Sequence, residues 1–188
     1  GRAIFKESNF DLINYGRIKM FIHAEPKDGE ILDDNEINAF LRFGSDYENN
    51  YYEIELPLKI TRPELLNQSS SNLSRLVWPQ ENEINFSIDE LLSLKSERNR
   101  EKIDINSPFT KMSANGKYKI RIKGRPSLGS ILNIMIGIKN PLSEDRASKS
   151  ACLWFNELRL TDFDKTKGWA ANASLNVKLS DIGNISSS

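Results

Sequence analysis

This chain holds a single histidine, His23, and a single cysteine, Cys152. A zinc site needs clustered cysteines and histidines, and one of each cannot supply it. No G-x-S-x-G or H-E-x-x-H motif occurs either. His23 lies in a strand pattern, where a surface or hydrogen-bonded histidine is expected, and Cys152 lies in an apolar strand pattern, where a buried structural thiol is expected.

The other candidates are carboxylates, cations and aromatics. In loop 25–36, Asp28, Asp33, Asp34 and Glu36 could offer oxygen ligands to calcium, but the EF-hand order is missing, so a solvated acidic loop is expected. Glu53 and Glu55 share one strand face, which is outward-facing and needs no catalytic explanation. Lys119, Arg121 and Lys123 alternate along another strand, as a solvated face or as a site for phosphate or lipopolysaccharide. The turn 124–129 lacks the Gly-Lys-Ser/Thr ending of a phosphate loop. Tyr47 and Tyr51 could stack on a sugar or pack against neighbouring protein. A non-enzyme with no cofactor and no metal ion is therefore expected.

The elements that carry these residues read as β-structure. Lys+Arg and Asp+Glu both number 26, so the formal charge is zero, and no nucleic-acid partner is expected. No run of about 18 apolar residues occurs, which excludes a transmembrane helix. Period-2 alternation predicts strands at 17–24, 38–43, 51–60 and 117–123; in 51–60, Tyr52, Ile54, Leu56, Leu58 and Ile60 face the core, and Pro57 places the strand at an edge or bulge. Residues 131–138 are nearly all apolar, as in a strand buried on both faces. Residues 73–78 fit a short strand. Ser87-Ile88-Asp89-Glu90 fits a capping box opening a helix to about residue 99, packed through its first two turns only. The strand 151–160 sets Trp154, Leu158 and Leu160 on one face and Leu153 and Phe155 on the other.

Residues 170–180 alternate strictly. Ala171, Ala173, Leu175, Val177 and Leu179 share one face, and Asn172, Ser174, Asn176 and Lys178 lie on the other. With Trp169 before it and the turn residues Asp181, Gly183 and Asn184 after it, the segment fits a barrel strand with a lipid-facing and a lumen-facing row. An amphipathic strand of a soluble sandwich shows the same pattern.

The runs WFNELRLTDFD and GWAANASLNVKLSDIGN, with KMFIHAE at 19–25, FLRFGSDYENNYYEIELPL at 40–58, VWPQENEINFSIDELLSLKSERN at 77–99 and IMIGIKNP at 134–141, resemble the SprA/Sov family. That resemblance implies one segment of a far longer protein, the outer-membrane translocon of the type IX secretion system, linked to gliding motility in the Bacteroidetes. The implied partners are the rest of the translocon barrel, plug and lateral-gate proteins, secreted cargo and outer-membrane lipid. The expected fold is all-β: a jelly-roll, galactose-binding-like sandwich with one peripheral helix over 1–162, a tether over 163–168, and a first barrel strand and turn over 169–188. The sandwich is expected on the cell-surface side, capping or lining the pore mouth or docking partners. The alternative is a carbohydrate-binding module of a cell-surface protein.

Overall fold

The computed structural model describes residues 1–27, 29–62, 73–141, 148–164, 175–179 and 183–187. Asp28 and residues 171–174, four of the predicted barrel-strand positions, lie outside the described residues.

The strands are β1 (Arg2–Phe10), β2 (Tyr15–Pro26), β3 (Asn38–Gly44), β4 (Tyr51–Pro57), β5 (Ile84–Ser87), β6 (Phe109–Met112), β7 (Lys119–Lys123), β8 (Ile131–Lys139) and β9 (Ala151–Phe163). Two helices, α1 (Leu73–Val77) and α2 (Asp89–Arg100), interrupt them. One antiparallel sheet has the order β1-β8-β3-β4-β7-β6 and the other β5-β2-β9. They face each other as a sandwich, with α2 packed on β7 beside the smaller sheet. A separate hairpin pairs β10 (Leu175–Leu179) with β11 (Gly183–Ser187). Its register sets Leu179 opposite Gly183; Asp181 of the expected turn lies outside the described residues.

Alternation builds the core as expected. Ile18, Met20, Ile22 and Ala24 of β2 meet Ala39, Leu41 and Phe43 of β3 and Tyr52, Ile54 and Leu56 of β4, all buried. Full burial of each large side chain contributes about 1.5–3 kcal/mol. β9 returns beside the start of the chain, with His23 opposite Trp154 and Ile18 opposite Leu160.

Several local expectations are corrected. Residues 73–77 are helical, not extended. β6, unmarked by alternation, forms because its backbone pairs with β7. β4 is an interior strand between β3 and β7; Pro57 is accommodated because β7 pairs only as far as Glu55. β8 is not buried on both faces, since Leu132 is exposed. The capping box does not form: Ser87 still belongs to β5, and Glu90 instead accepts a hydrogen bond from the Ala114 backbone N–H at 2.8 Å. Nor do only the first turns of α2 pack. Arg98 in its last turn is buried and donates from Nη1 to the Gly124 carbonyl at 2.6 Å.

In β9 the facing expectation fails at one point. Phe21 pairs with Asn156 but Lys19 pairs with Arg159, so β9 carries an extra residue there, with Glu157 at φ 55°. A bulge inverts the side-chain parity beyond it. Leu160 therefore packs on the core with Leu153 and Phe155, while Trp154 stays outside. The same outward parity exposes Cys152, correcting its expected burial.

Candidate functional site

The outward row of β4 consists of Tyr51, Glu53 and Glu55, and the expectation of a solvated face there is overturned, since all three are buried. Register explains why. On one side Arg42 of β3 lies opposite Glu53 and Phe40 opposite Glu55; on the other, Arg121 of β7 lies opposite Glu53 and Lys119 opposite Glu55. Facing residues of adjacent strands project to the same side, so Glu53 has a guanidinium on each flank.

Arg42 donates to Glu53 Oε2 from Nε at 2.8 Å and from Nη2 at 2.6 Å, and from Nη1 to the Tyr47 carbonyl. Arg121 Nη1 donates to Glu53 Oε1, and its Nε donates to Thr110 Oγ1 at 3.1 Å. A third cation comes from further off. Lys139 of β8 passes over the Phe40 ring, 4.7 Å from its centroid, and bridges Glu53 Oε1 at 2.5 Å and Glu55 Oε2 at 2.9 Å. Asn38 Nδ2 donates to Glu55 Oε1 at 2.7 Å. Gly137 leaves the space that the Phe40 ring fills: a Cβ there would come within 2.8 Å of it.

Each carboxylate oxygen of the pair thus accepts a charge-assisted or amide hydrogen bond. Burial pushes the Glu55 carboxyl up, but the hydrogen bonds from Asn38 and Lys139 and the charges of Lys139 and Lys119 outweigh it and hold Glu55 below its ordinary value. Glu55 is thereby held in the charged form, and a carboxylate so engaged suits fixing strand register rather than transferring protons. Three cations around two carboxylates, with Lys119 exposed beside them, leave the face net positive.

The two tyrosines singled out by sequence border this plate. Tyr51 is buried, with the Arg42 guanidinium 4.0 Å from its ring centroid, so the face a sugar would need is occupied. Tyr47 meets Phe5 at 5.2 Å between centroids, and burial followed by the Glu7 charge raises its hydroxyl. The β3–β4 loop is held by Asp46, whose Oδ1 accepts from the backbone N–H groups of Glu48, Asn49 and Asn50 and whose Oδ2 accepts from Asn50 Nδ2. Desolvation raises the Asp46 carboxyl, but these donors together lower it from 3.8 to about 2.

A pH dependence follows. Both Glu55 and Asp46 are depressed in the folded protein, so the stability they contribute is complete above their unfolded values and is lost as pH falls through the folded ones. Thermal unfolding should show a Tm that declines from about pH 4.5 down to about pH 2. Asp46→Asn should flatten the lower part of that decline.

The remaining candidates fall apart from this plate. His23 Nδ1 lies 2.6 Å from the Val77 carbonyl, which can only accept, so Nδ1 carries the proton and clips α1 to the sheet. Its Nε2 is 3.4 Å from Glu25, and the Thr61 hydroxyl donates to the Leu76 carbonyl, so the neighbouring hydroxyl and imidazole form no nucleophile–base pair. Asp34 accepts from the Ile60 N–H and Glu36 from the Asp33 N–H, which ties the acidic loop to the chain just beyond β4. No cluster of metal-binding residues occurs among the described residues. Of the row Lys119, Arg121 and Lys123, Arg121 is committed to Glu53 and Lys123 reaches Asn49 Oδ1 at 3.2 Å. The backbone of Leu175, Asn176, Val177, Lys178 and Leu179 forms β10.

Sequence reasoning missed Arg42, Lys139, Asn38 and Phe40. One signal was present: a hairpin closing between residues 44 and 51 sets Arg42 against Glu53 by register alone. Lys139 had none, because its place depends on β8 inserting between β1 and β3.

The SprA_N family model, described as "Motility related/secretion protein", matches residues 1–188. No curated protein matches the chain.

Proposed function

The chain belongs to the SprA family of motility-related and secretion proteins, and from that premise we propose that it is a non-catalytic structural segment of a protein-conducting pore of the type IX secretion system in the bacterial outer membrane. The family match carries the reading. The cross-linked charged plate supports it, because carboxylates with every oxygen engaged make a rigid panel and not a reactive site. In this reading the sandwich caps or lines the pore mouth on the cell-surface side and docks plug, gate or cargo proteins, while the segment from 169 onward enters the barrel with Leu175, Val177 and Leu179 toward lipid. Outer-membrane barrels have short periplasmic turns and long outer loops, which favours the surface side for an inserted domain. A sugar-binding role draws no support from Tyr51, whose ring is already covered.

Glu48, exposed in the β3–β4 loop, is a suitable reporter position. In full-length protein in intact cells, Glu48→Cys is expected to react with a membrane-impermeant maleimide, with Cys152 replaced by serine in the same background. Protection until the cells are lysed would overturn the surface assignment.

A further inference from the structure

Lys139 and Asn38 stand directly opposite each other, Lys139 as the last residue of β8 and Asn38 as the first of β3. Glu55 of β4 lies one step further along the same face, opposite Phe40. Facing residues project to one side of a sheet, so three adjacent strands bring together an amine, a primary amide and a carboxylate. Glu55 joins the other two: its Oε2 accepts from Lys139 Nζ at 2.9 Å and its Oε1 from Asn38 Nδ2 at 2.7 Å. Asn38 and Glu55 are 9% and 6% exposed, whereas 27% of the Lys139 side chain stays open to water.

This trio has covalent chemistry open to it. A lysine amine is a nucleophile once it has shed a proton, and a side-chain amide is a carbonyl with a leaving group. The ammonium has three donors, of which two are held by Glu53 and Glu55 and the third meets no partner among the described residues. Loss of that third proton leaves a lone pair in its place, while the other two hydrogen bonds keep the nitrogen where it is. The two carboxylates are charged and repel a nucleophile. Asn38 is the neutral acyl group beside them.

We propose that Lys139 and Asn38 form an intramolecular isopeptide bond, with Glu55 as the positioning residue that holds amine and amide together. Lys139 gives one proton to water, and its lone pair attacks Cγ of Asn38 to form the Nζ–Cγ bond. The Cγ–Nδ2 bond then breaks, and Nδ2 leaves as ammonia with a proton passed from the attacking nitrogen through water. An amine and a primary amide thus give a secondary amide and ammonia, with no oxidant and no co-reactant. Holding both groups on one carboxylate makes the step unimolecular. With one cysteine in residues 1–188, no disulfide can join these strands, and the bond supplies the missing cross-link between β3 and β8. At neutral pH the lysine is an ammonium and the charged plate persists, so the bond accumulates slowly there. The charged groups around the amine are Glu53 and Glu55 of β4, Arg42 of β3, and Arg121 and Lys119 of β7. The inference does not depend on the pore reading, since it rests on these side chains alone.

The test incubates purified full-length protein at about pH 7 and about pH 9, then digests it with trypsin and weighs the peptides. The expected product is a branched peptide joining β3 to β8, uncut after Lys139 and lighter than its two linear parts by one ammonia, about 17 Da. Its rate of formation should rise about tenfold per pH unit, because only the unprotonated amine attacks. Lys139→Arg keeps a cation on both carboxylates and should give no branched peptide. Glu55→Gln should slow the bond about tenfold while leaving its pH dependence unchanged, since Glu55 positions the groups and carries no proton. Linear peptides alone at both pH values, an ammonia loss that survives in Lys139→Arg, a rate indifferent to pH, or an unchanged rate in Glu55→Gln would each overturn the proposal.

Discussion

Glu53→Ala is expected to lower the stability of the folded chain by about 3 kcal/mol, because it strips a buried anion from three cations at once. The side chain of Glu53 is fully buried, whereas those of Arg42, Arg121 and Lys139 retain 19, 23 and 27% of their exposure. That asymmetry decides the size of the effect. The cations left behind can turn partly to water, which keeps the loss near the lower end of the range for a broken buried pair. For a chain of this length the change corresponds to a fall in Tm of roughly 6–12 °C, readable by thermal denaturation at neutral pH. Lys139→Met should cost less, since Glu53 keeps both guanidinium partners. If the two variants unfold at the same temperature, Glu53 is not the hub of the plate.

Gly124→Val is the second large effect, expected to destabilise by roughly 2–5 kcal/mol from a left-handed backbone and an overpacked site together. Gly124 has φ +70°, and a Cβ on it would strike the carbonyl of Asn49 and the side chain of Asn50. Its N–H donates to the Ile105 carbonyl at 2.7 Å and its carbonyl accepts from Arg98, so four segments meet on one residue. Gly116 is the internal control. It has the same φ, but a Cβ there would meet nothing within 4 Å, so Gly116→Ala should cost only the backbone term of about 1–2 kcal/mol. Chemical denaturation of both variants separates the two contributions; equal losses would mean that the crowding at Asn49 relaxes freely.

These positions also mark where sequence reasoning succeeds. The apolar row Tyr52, Ile54 and Leu56 declares its face by alternation, because one side of β4 must be dry whatever its neighbours are. Burial of Glu53 and Glu55 on the other side depends on which strands flank β4, and that is a property of the sheet order. The bulge at Glu157 is equally invisible to a period-2 count, which assumes one residue per step and so misplaces Leu160. The helix at Leu73–Val77 escaped notice because a run so short carries less than two full helical turns of periodicity. What was legible came from pairwise spacing within a segment; what was not came from partners distant in sequence.

The pairing of first strands with last ones has a kinetic consequence. Among the described strands β1 pairs only with β8, and β2 depends on β9 along almost its whole length, so neither N-terminal strand is fully secured until residues 131–163 are present. Contacts of such sequence separation make for slow folding, since the chain must close a long loop before those pairs form. A chain emerging from its N-terminus into a compartment holds β1 and β2 as open edges throughout that wait. The domain is thus a late-folding one by topology, and truncation anywhere within β8 or β9 should leave an aggregation-prone remnant in place of a smaller folded unit.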